Sequence, residues 1–214
     1  MSSGRIKKLY PNTIGSNMPL NDLPLPVPVS VAIKRIKGLN HYSDIDKVLL
    51  QVSKEFSDFN TLDDLTYIYN GYTFTAMLNG IGGKAGENLE IVNALQIESA
   101  PILIDHIKVG GLLGVLVTYY PDCKKDFLLP YTKYEKNIAP VSDEAKRRFL
   151  RDIEIMAENN LMHPFTLAGP SYWLVNPDTG KIFLDSWSRL TEISLEKKDE
   201  IIALAKEKLG IKSL

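Results

Sequence analysis

Thr66-Tyr67-Ile68-Tyr69-Asn70-Gly71-Tyr72-Thr73-Phe74-Thr75-Ala76-Met77-Leu78 is the stretch that settles the fold class. Two runs rich in aromatic and β-branched residues flank Asn70-Gly71, a pair that accepts the positive φ of a two-residue hairpin turn. A hairpin makes antiparallel sheet. A second hairpin is expected over Trp173-Leu174-Val175 and Lys181-Ile182-Phe183-Leu184. Between them lies Asn176-Pro177-Asp178-Thr179-Gly180, where proline, aspartate and glycine each suit a turn. Helical patterns surround both hairpins. The class is therefore α+β, a small antiparallel sheet packed on helices, and not a doubly wound parallel sheet.

Upstream, Val29 to Ile36 alternates apolar and polar residues and is rich in β-branched side chains. That predicts a strand, stopped by Gly38. Ser43 is placed to cap a helix opened by Asp44-Ile45-Asp46, with Ile45, Val48, Leu49, Val52 and Phe56 on one apolar face through about Phe59. Residues 1–28 are rich in Ser, Asn and Pro. Pro11, Pro19, Pro24, Pro26 and Pro28 fix φ and remove backbone donors, so this segment is expected to be a flexible extended arm. Residues 29–214 then form a single α+β domain, with possible lobes at 29–120 and 121–214.

Downstream, the glycine-rich segment from Gly80 to Gly86 reads as a flexible connector. A helix is expected from about Glu87 to Glu98, with Leu89, Val92, Ala94 and Leu95 on its buried side. Ile102-Leu103-Ile104 and Leu112 to Val117 predict two apolar strands around Val109-Gly110-Gly111, followed by a linker to Pro140. Ser142 caps a helix from Asp143 to about Asn160, whose apolar stripe is Phe149, Leu150, Ile153 and Met156. A last helix spans about Leu195 to Leu209 and stops at Gly210.

The 214 residues carry 25 Lys+Arg against 26 Asp+Glu, a formal net charge of -1. That balance argues against a nucleic-acid binder driven by phosphate neutralisation, and against a polybasic membrane-surface protein. No apolar run reaches the roughly 20 residues that span a bilayer. Arg5, Lys7 and Lys8 are followed by no hydrophobic core of a secretory signal. The one cysteine, Cys123, cannot form an intramolecular disulfide. It reads as an incidental thiol in the polar loop Pro121-Asp122-Cys123-Lys124-Lys125. A cytoplasmic location is the expectation. The polar leader also resembles the starts of proteins exported by bacterial injection systems, which would place an effector inside a target cell.

Several constellations fall short of a known chemistry. His41, His106 and His163 lie at no metal-ligand spacing with one another or with Cys123. Asp105 and His106 read as strand residues alternating with Ile104 and Ile107. Gly80-Ile81-Gly82-Gly83-Lys84-Ala85-Gly86 lacks the P-loop spacing and its Ser/Thr after Lys. His163-Pro164-Phe165 resembles the opening of the Fic motif of adenylyl transferases, but Thr166-Leu167-Ala168-Gly169 follows and the phosphate-holding Asn and Arg are absent. Tyr119, Tyr120, Tyr131 and Tyr134 form a local aromatic group suited to a protein partner or to partial core burial.

From residue 66 to 190 the order of elements resembles a stripped-down protein kinase. The resemblance implies that hairpin 66–78 holds the second and third strands of a small lobe, helix 87–98 its single helix, and strands 102–107 and 112–118 the two strands before a hinge at Tyr119-Tyr120-Pro121-Asp122. Helix 143–160 would be the long buried helix of the large lobe. Asp185-Ser186-Trp187 stands where a kinase has Asp-Phe-Gly, thirteen residues after Tyr172, which occupies the position of the metal-binding Asn. Leu167 occupies the position of the catalytic Asp, and no Asp occurs from Leu161 to Asn176. The strand lysine falls near Leu78 and is missing, which leaves Glu90 without its pairing partner. Phosphoryl transfer needs a base and two ligand positions for magnesium, and here the base and one ligand are absent.

Val31-Ala32-Ile33-Lys34 spells the lysine-strand motif of kinases. If Lys34 is that lysine, Glu55 on the next helix is its partner and Asp185 the metal ligand, an arrangement for an atypical ATP-dependent protein kinase with Mg-ATP. The leading expectation is instead a noncatalytic bacterial protein-binding protein on a kinase-like scaffold, with no cofactor. Its partner would be a toxin, if the chain is an immunity protein, or a host protein, if it is a secreted effector pseudokinase. An unrelated α+β binding domain is the remaining alternative.

Overall fold

The computed structural model describes residues 25–63, 66–78, 81–110, 113–123 and 128–211. The expected arm lies outside them apart from its last four residues, and Leu112, Lys124 and Lys125 lie outside as well. The described residues form two compact units. One runs to Glu87 and resumes over Ile102–Pro121; the other is Asn88–Pro101 with Asp122 onward.

The first unit opens with helix α1 (Val27–Lys37). Residues 29–36 are thus helical and not the expected strand. The buried set explains it: Pro28 aside, it is Val29, Ala32, Ile33 and Ile36, a spacing of i, i+3, i+4 and i+7. Pro28 fits within the first turn, where its missing amide forfeits no helical bond. A single 3-10 turn, Tyr42–Asp44, leads into α2 (Ile45–Glu55). Ser43 lies inside that turn, and α2 begins without the side-chain cap expected of it. Ile45, Leu49 and Val52 form the buried face of α2, which ends at Glu55 and not near Phe59.

Five strands make one antiparallel sheet: β1 (Asn60–Asp63), β2 (Thr66–Tyr69), β3 (Tyr72–Leu78), β4 (Ile102–Val109) and β5 (Leu113–Tyr119). Their order is β1-β2-β3-β5-β4. The hairpin turns as expected at Asn70 and Gly71, whose φ angles are 45° and 83°. Tyr69 pairs with Tyr72 across it. The strand register sets Thr73 opposite Thr118, joined by a buried hydroxyl pair at 2.6 Å, and Phe74 opposite Val117 in the core. A register shift between Leu103 and Asp105 marks a bulge in β4. Phe59 packs its ring 5.3 Å from that of Phe74, and the α1 and α2 faces close over these aromatics with Val109, Val115 and Val117.

Helix α3 (Ile81–Ala94) links β3 to β4. The glycine-rich segment is therefore helical from Ile81, where a connector was expected, and the helix stops at Ala94, short of Glu98. His106 supplies a packing reason for Gly86. A Cβ on Gly86 would lie 3.0 Å from His106 Nδ1, and one on Gly114 of β5 would lie 2.9 Å from Nε2. The imidazole is held between two positions that lack a side chain. The chain leaves the first unit within α3, between Glu87 and Asn88.

In the second unit the expected linker contains structure: β6 (Leu129–Pro130) and α4 (Tyr131–Asn137). Ser142 Oγ then accepts a hydrogen bond from Ala145 N at 3.1 Å and caps α5 (Asp143–Glu158), as its sequence predicts. Phe149, Leu150, Ile153 and Met156 are its buried stripe, with Asp152 and Ala157 beside them. After β7 (Leu161–Met162) and the short α6 (Pro164–Ala168) comes the second hairpin, β8 (Trp173–Val175) and β9 (Ile182–Leu184). The sheet order is β6-β8-β9, and β10 (Thr191–Glu192) pairs with β7. The last helix, α7 (Lys198–Leu209), follows a 3-10 turn at Leu195–Lys197 and ends at Gly210 with φ +66°. Trp173 anchors this core: its ring meets Tyr131 and Phe149 edge-on at 5.5 and 5.0 Å, and its Nε1 donates to Phe165 O at 2.9 Å.

Candidate functional site

Lys34 and Glu55, the pair singled out for phosphoryl transfer in the first unit, do not meet. Lys34 lies on a helix and faces solvent, so the Val-Ala-Ile-Lys string is not on a strand. Glu55 is engaged by the neighbouring residue: Arg35 Nη1 and Nη2 donate to its two carboxylate oxygens at 2.9 and 2.8 Å. One residue along a helix turns the side chain by about 100°. Arg35 faces α2 and Lys34 does not. The Arg35 guanidinium holds the Glu55 carboxyl below its usual range. Glu90 is exposed on α3.

Asp185 follows β9 and is exposed, and its Oδ1 accepts a hydrogen bond from Ser186 N at 2.6 Å. Among the described residues, no three His, Cys, Asp or Glu side chains gather where they could share an ion. Lys34 and Glu55 thus do not form the pair that the Mg-ATP reading requires.

What the 161–190 segment builds instead is an aromatic cluster. His163 precedes α6 and is sealed from solvent, with Nδ1 accepting from Phe165 N at 3.3 Å. Its ring packs edge-on against Trp187 at 4.8 Å and Phe165 at 5.4 Å. Burial pushes its pKa down to about 4, so the ring is neutral near pH 7. Trp187 Nε1 donates to Leu184 O at 2.9 Å, and Asn88 Nδ2 donates to Trp187 O at 2.6 Å. Ser186 turns the chain there at φ +60°.

The outer layer of this cluster faces solvent. Tyr172, 51% exposed, stacks on Phe165 with centroids 4.8 Å apart and planes 24° apart. The Arg189 guanidinium lies 5.3 Å from the Phe165 centroid. Arg189, Phe165 and Tyr172 therefore form a cation–aromatic–aromatic group on the second unit. Arg189 was missed from sequence, because no spacing relates it to Phe165 and the chain turns at Ser186 before reaching it.

The four expected partner tyrosines divide between the units. Tyr119 is half-buried and stacks on Tyr72 at 4.5 Å in the first unit, where Tyr120 is buried. In the second, Tyr131 and Tyr134 are buried, Tyr131 against Trp173. Three of the four are core residues in this chain, a correction to their reading as a partner surface. Cys123 is buried too, against the expectation of a loop thiol. Its Sγ accepts from Asn176 Nδ2 at 3.2 Å, and burial raises its pKa to about 12. Among the described residues no helix is long and apolar enough to cross a membrane.

No family model and no curated protein matches the sequence. Among solved structures, the chain is similar to the kinase PK-1 of Cydia pomonella granulovirus, with a TM-score of 0.41 and 11% identity over 69% of this chain. It spans 57% of that chain's length.

Proposed function

We propose that the protein is a noncatalytic protein-binding protein on a kinase-like scaffold, either an immunity protein that occupies a toxin or a secreted effector pseudokinase. The scaffold reading is supported by the order of elements within each unit. In the first, the 66–78 hairpin supplies the second and third strands, α3 follows, and β4 and β5 complete the sheet. In the second, a long helix precedes the hairpin that leads to Asp185.

The observation that carries the binding reading is the exposed Arg189–Phe165–Tyr172 group. Tyr172 holds the position at which the resemblance requires a metal-binding Asn, and it presents an aromatic face to solvent. Arginine and tyrosine over a packed aromatic base are the residue types that carry interface energy.

The test has two arms. Calorimetry with Mg-ATP is expected to give no heat. A protein co-purified in stoichiometric amount from the native host, then made recombinantly, is expected to form a one-to-one complex. That complex weakens at least about tenfold on Tyr172→Ala with Arg189→Ala, in the range of interface hot spots, and is unchanged by Lys34→Ala. A toxin partner selects the immunity role, and a protein of a target cell selects the effector role. Nucleotide binding lost on Lys34→Ala or Asp185→Ala would overturn the noncatalytic reading in favour of an atypical kinase.

A further inference from the structure

The solvent side of the aromatic cluster has a chemistry that narrows what it can hold. Phe165 is fixed from below: its carbonyl accepts from Trp173 Nε1 at 2.9 Å, its amide donates to His163 Nδ1 at 3.3 Å, and its ring meets the buried imidazole at 5.4 Å. Tyr172 and Arg189, both exposed, lie on that fixed ring at 4.8 and 5.3 Å. Two long side chains are thus already placed, and a partner that meets them pays less for ordering them.

The charge at this face is one-sided. Among the described residues no carboxylate lies within ion-pair distance of the Arg189 guanidinium, and its ring contact with Phe165 uses none of its N–H donors. The carboxylates nearest in sequence do not close on it. Asp185 accepts from Ser186 N at 2.6 Å, and Glu192 is exposed on β10. A second cation approaches the same turn. The Lys208 Cδ lies 3.6 Å from where a Cβ on Gly169 would stand, and Gly169 O accepts from Tyr172 N at 3.1 Å. Lys208 also has no carboxylate partner among the described residues. By contrast, Lys198 and Lys206 on the same helix reach Glu158 and Glu154 of α5 at 3.5 and 4.0 Å.

We propose that this face binds an acidic, aromatic-bearing segment of a partner protein, with a carboxylate taken by Arg189 and a ring laid on Tyr172. The proposal rests on the protein-binding reading given above and names the chemistry of the partner. A guanidinium receives a carboxylate through two parallel N–H bonds, and an exposed tyrosine face receives an aromatic ring. A basic segment would meet Arg189 and Lys208 as like charges. That sets aside the start of this chain as the occupant, since residues 1–24 carry Arg5, Lys7 and Lys8 against Asp22. An open face that encloses nothing also suits a protein segment better than a small ligand, which needs a cleft.

The experiment follows the backbone amide resonances of the whole chain during titration with a capped pentapeptide, Asp-Phe-Glu-Phe-Asp. Asn-Phe-Gln-Phe-Asn, Lys-Phe-Lys-Phe-Lys and inorganic phosphate are the comparison probes. Only the acidic peptide is expected to give saturable shifts, centred on Phe165, Tyr172 and Arg189. Arg189→Gln is expected to weaken it about tenfold, as loss of a charged hydrogen bond does. Arg189→Lys, which keeps the charge and loses the fork, is expected to fall between. Tyr172→Ala is expected to weaken it several-fold, and Lys34→Ala not at all. These side chains are exposed, and an otherwise unchanged amide spectrum shows that the fold is kept. No saturable shift up to about 10 mM, equal affinity for the neutral peptide, tighter binding of the basic peptide or of phosphate, or unchanged affinity in Arg189→Gln would each overturn the proposal. The two readings fail separately: a one-to-one complex weakened by Tyr172→Ala with Arg189→Ala, beside no preference for the acidic peptide, keeps the binding reading and overturns this one.

Discussion

The ring of His163 lies 4.8 Å from that of Trp187, tilted by 60°, with both side chains closed off from solvent. A charged imidazolium cannot keep that position without losing its hydration, and the backbone of Ser186 and Asp185 beside it offsets only part of that cost. The folded chain therefore holds His163 neutral down to about pH 4, whereas the unfolded chain takes up the proton near 6.5. The unfolded state binds more protons in that window, so stability is highest above pH 6.5 and falls as pH drops toward 4. The loss amounts to about 3 kcal/mol from this group. Asp152, whose pKa burial raises, acts in the opposite sense at the acid end, since the folded chain keeps its proton longer. Urea midpoints between pH 7 and 4.5 check this. The slope is expected to shrink in His163→Asn, which can still cap α6, whatever its absolute stability.

Cys123 is expected to be inert in the folded chain. Its thiol is buried, its pKa is raised to about 12, and Asn176 Nδ2 is bonded to the sulfur. Thiolate is the reacting form. Labelling with a disulfide reagent at pH 8 should be slow and should follow unfolding, becoming complete in denaturant. Rapid labelling of the native protein would contradict the burial.

Gly114→Ala is expected to cost about 1–3 kcal/mol, because the new methyl meets His106 Nε2 at 2.9 Å and Ile107 O at 3.3 Å. Gly86→Ala meets the other side of the same ring at 3.0 Å. In a double-mutant cycle, His106→Ala should recover part of either loss. Additive losses would show that the ring is not what the glycines accommodate.

Asp152→Ala is expected to destabilise the chain by about 1–3 kcal/mol, since Ser99 N loses its acceptor at 2.6 Å inside the fold. Asp152→Asn keeps an acceptor oxygen and should cost less. Thermal unfolding of the two variants beside the parent checks the order.

Where local chemistry decides the backbone, the fold was legible. Asn70-Gly71 turns its hairpin, Ser142 caps α5, and Gly210 ends α7, because each acts within a few residues of itself. Residues 29–36 misled because their spacing fits both periods over eight positions. Val29, Val31 and Ile33 alternate, while Val29, Ala32, Ile33 and Ile36 follow the helix. Burial against α2 and β4 makes the second pattern the real one. The glycines at 82, 83 and 86 argued against helix on propensity alone, yet the segment is helical and Gly86 lies against His106, twenty residues further on. The site was less legible still. Tyr172 and Phe165 were visible as residues, but their stacking and the arrival of Arg189 depend on a chain reversal at Ser186.

By itself the sequence determined the α+β class, the two hairpins, the long capped helix, and the absence of Asp and Asn from positions 167 and 172. These depend on side-chain identity and short-range backbone preference, which every copy of the chain carries in any state. Only the tertiary structure decided that Glu55 is bound to Arg35 and not to Lys34, that Tyr131 and Tyr134 are core, and that the Asp152 carboxylate holds the Ser99 amide. Such pairings are set by which faces pack together, and packing is a property of the whole core.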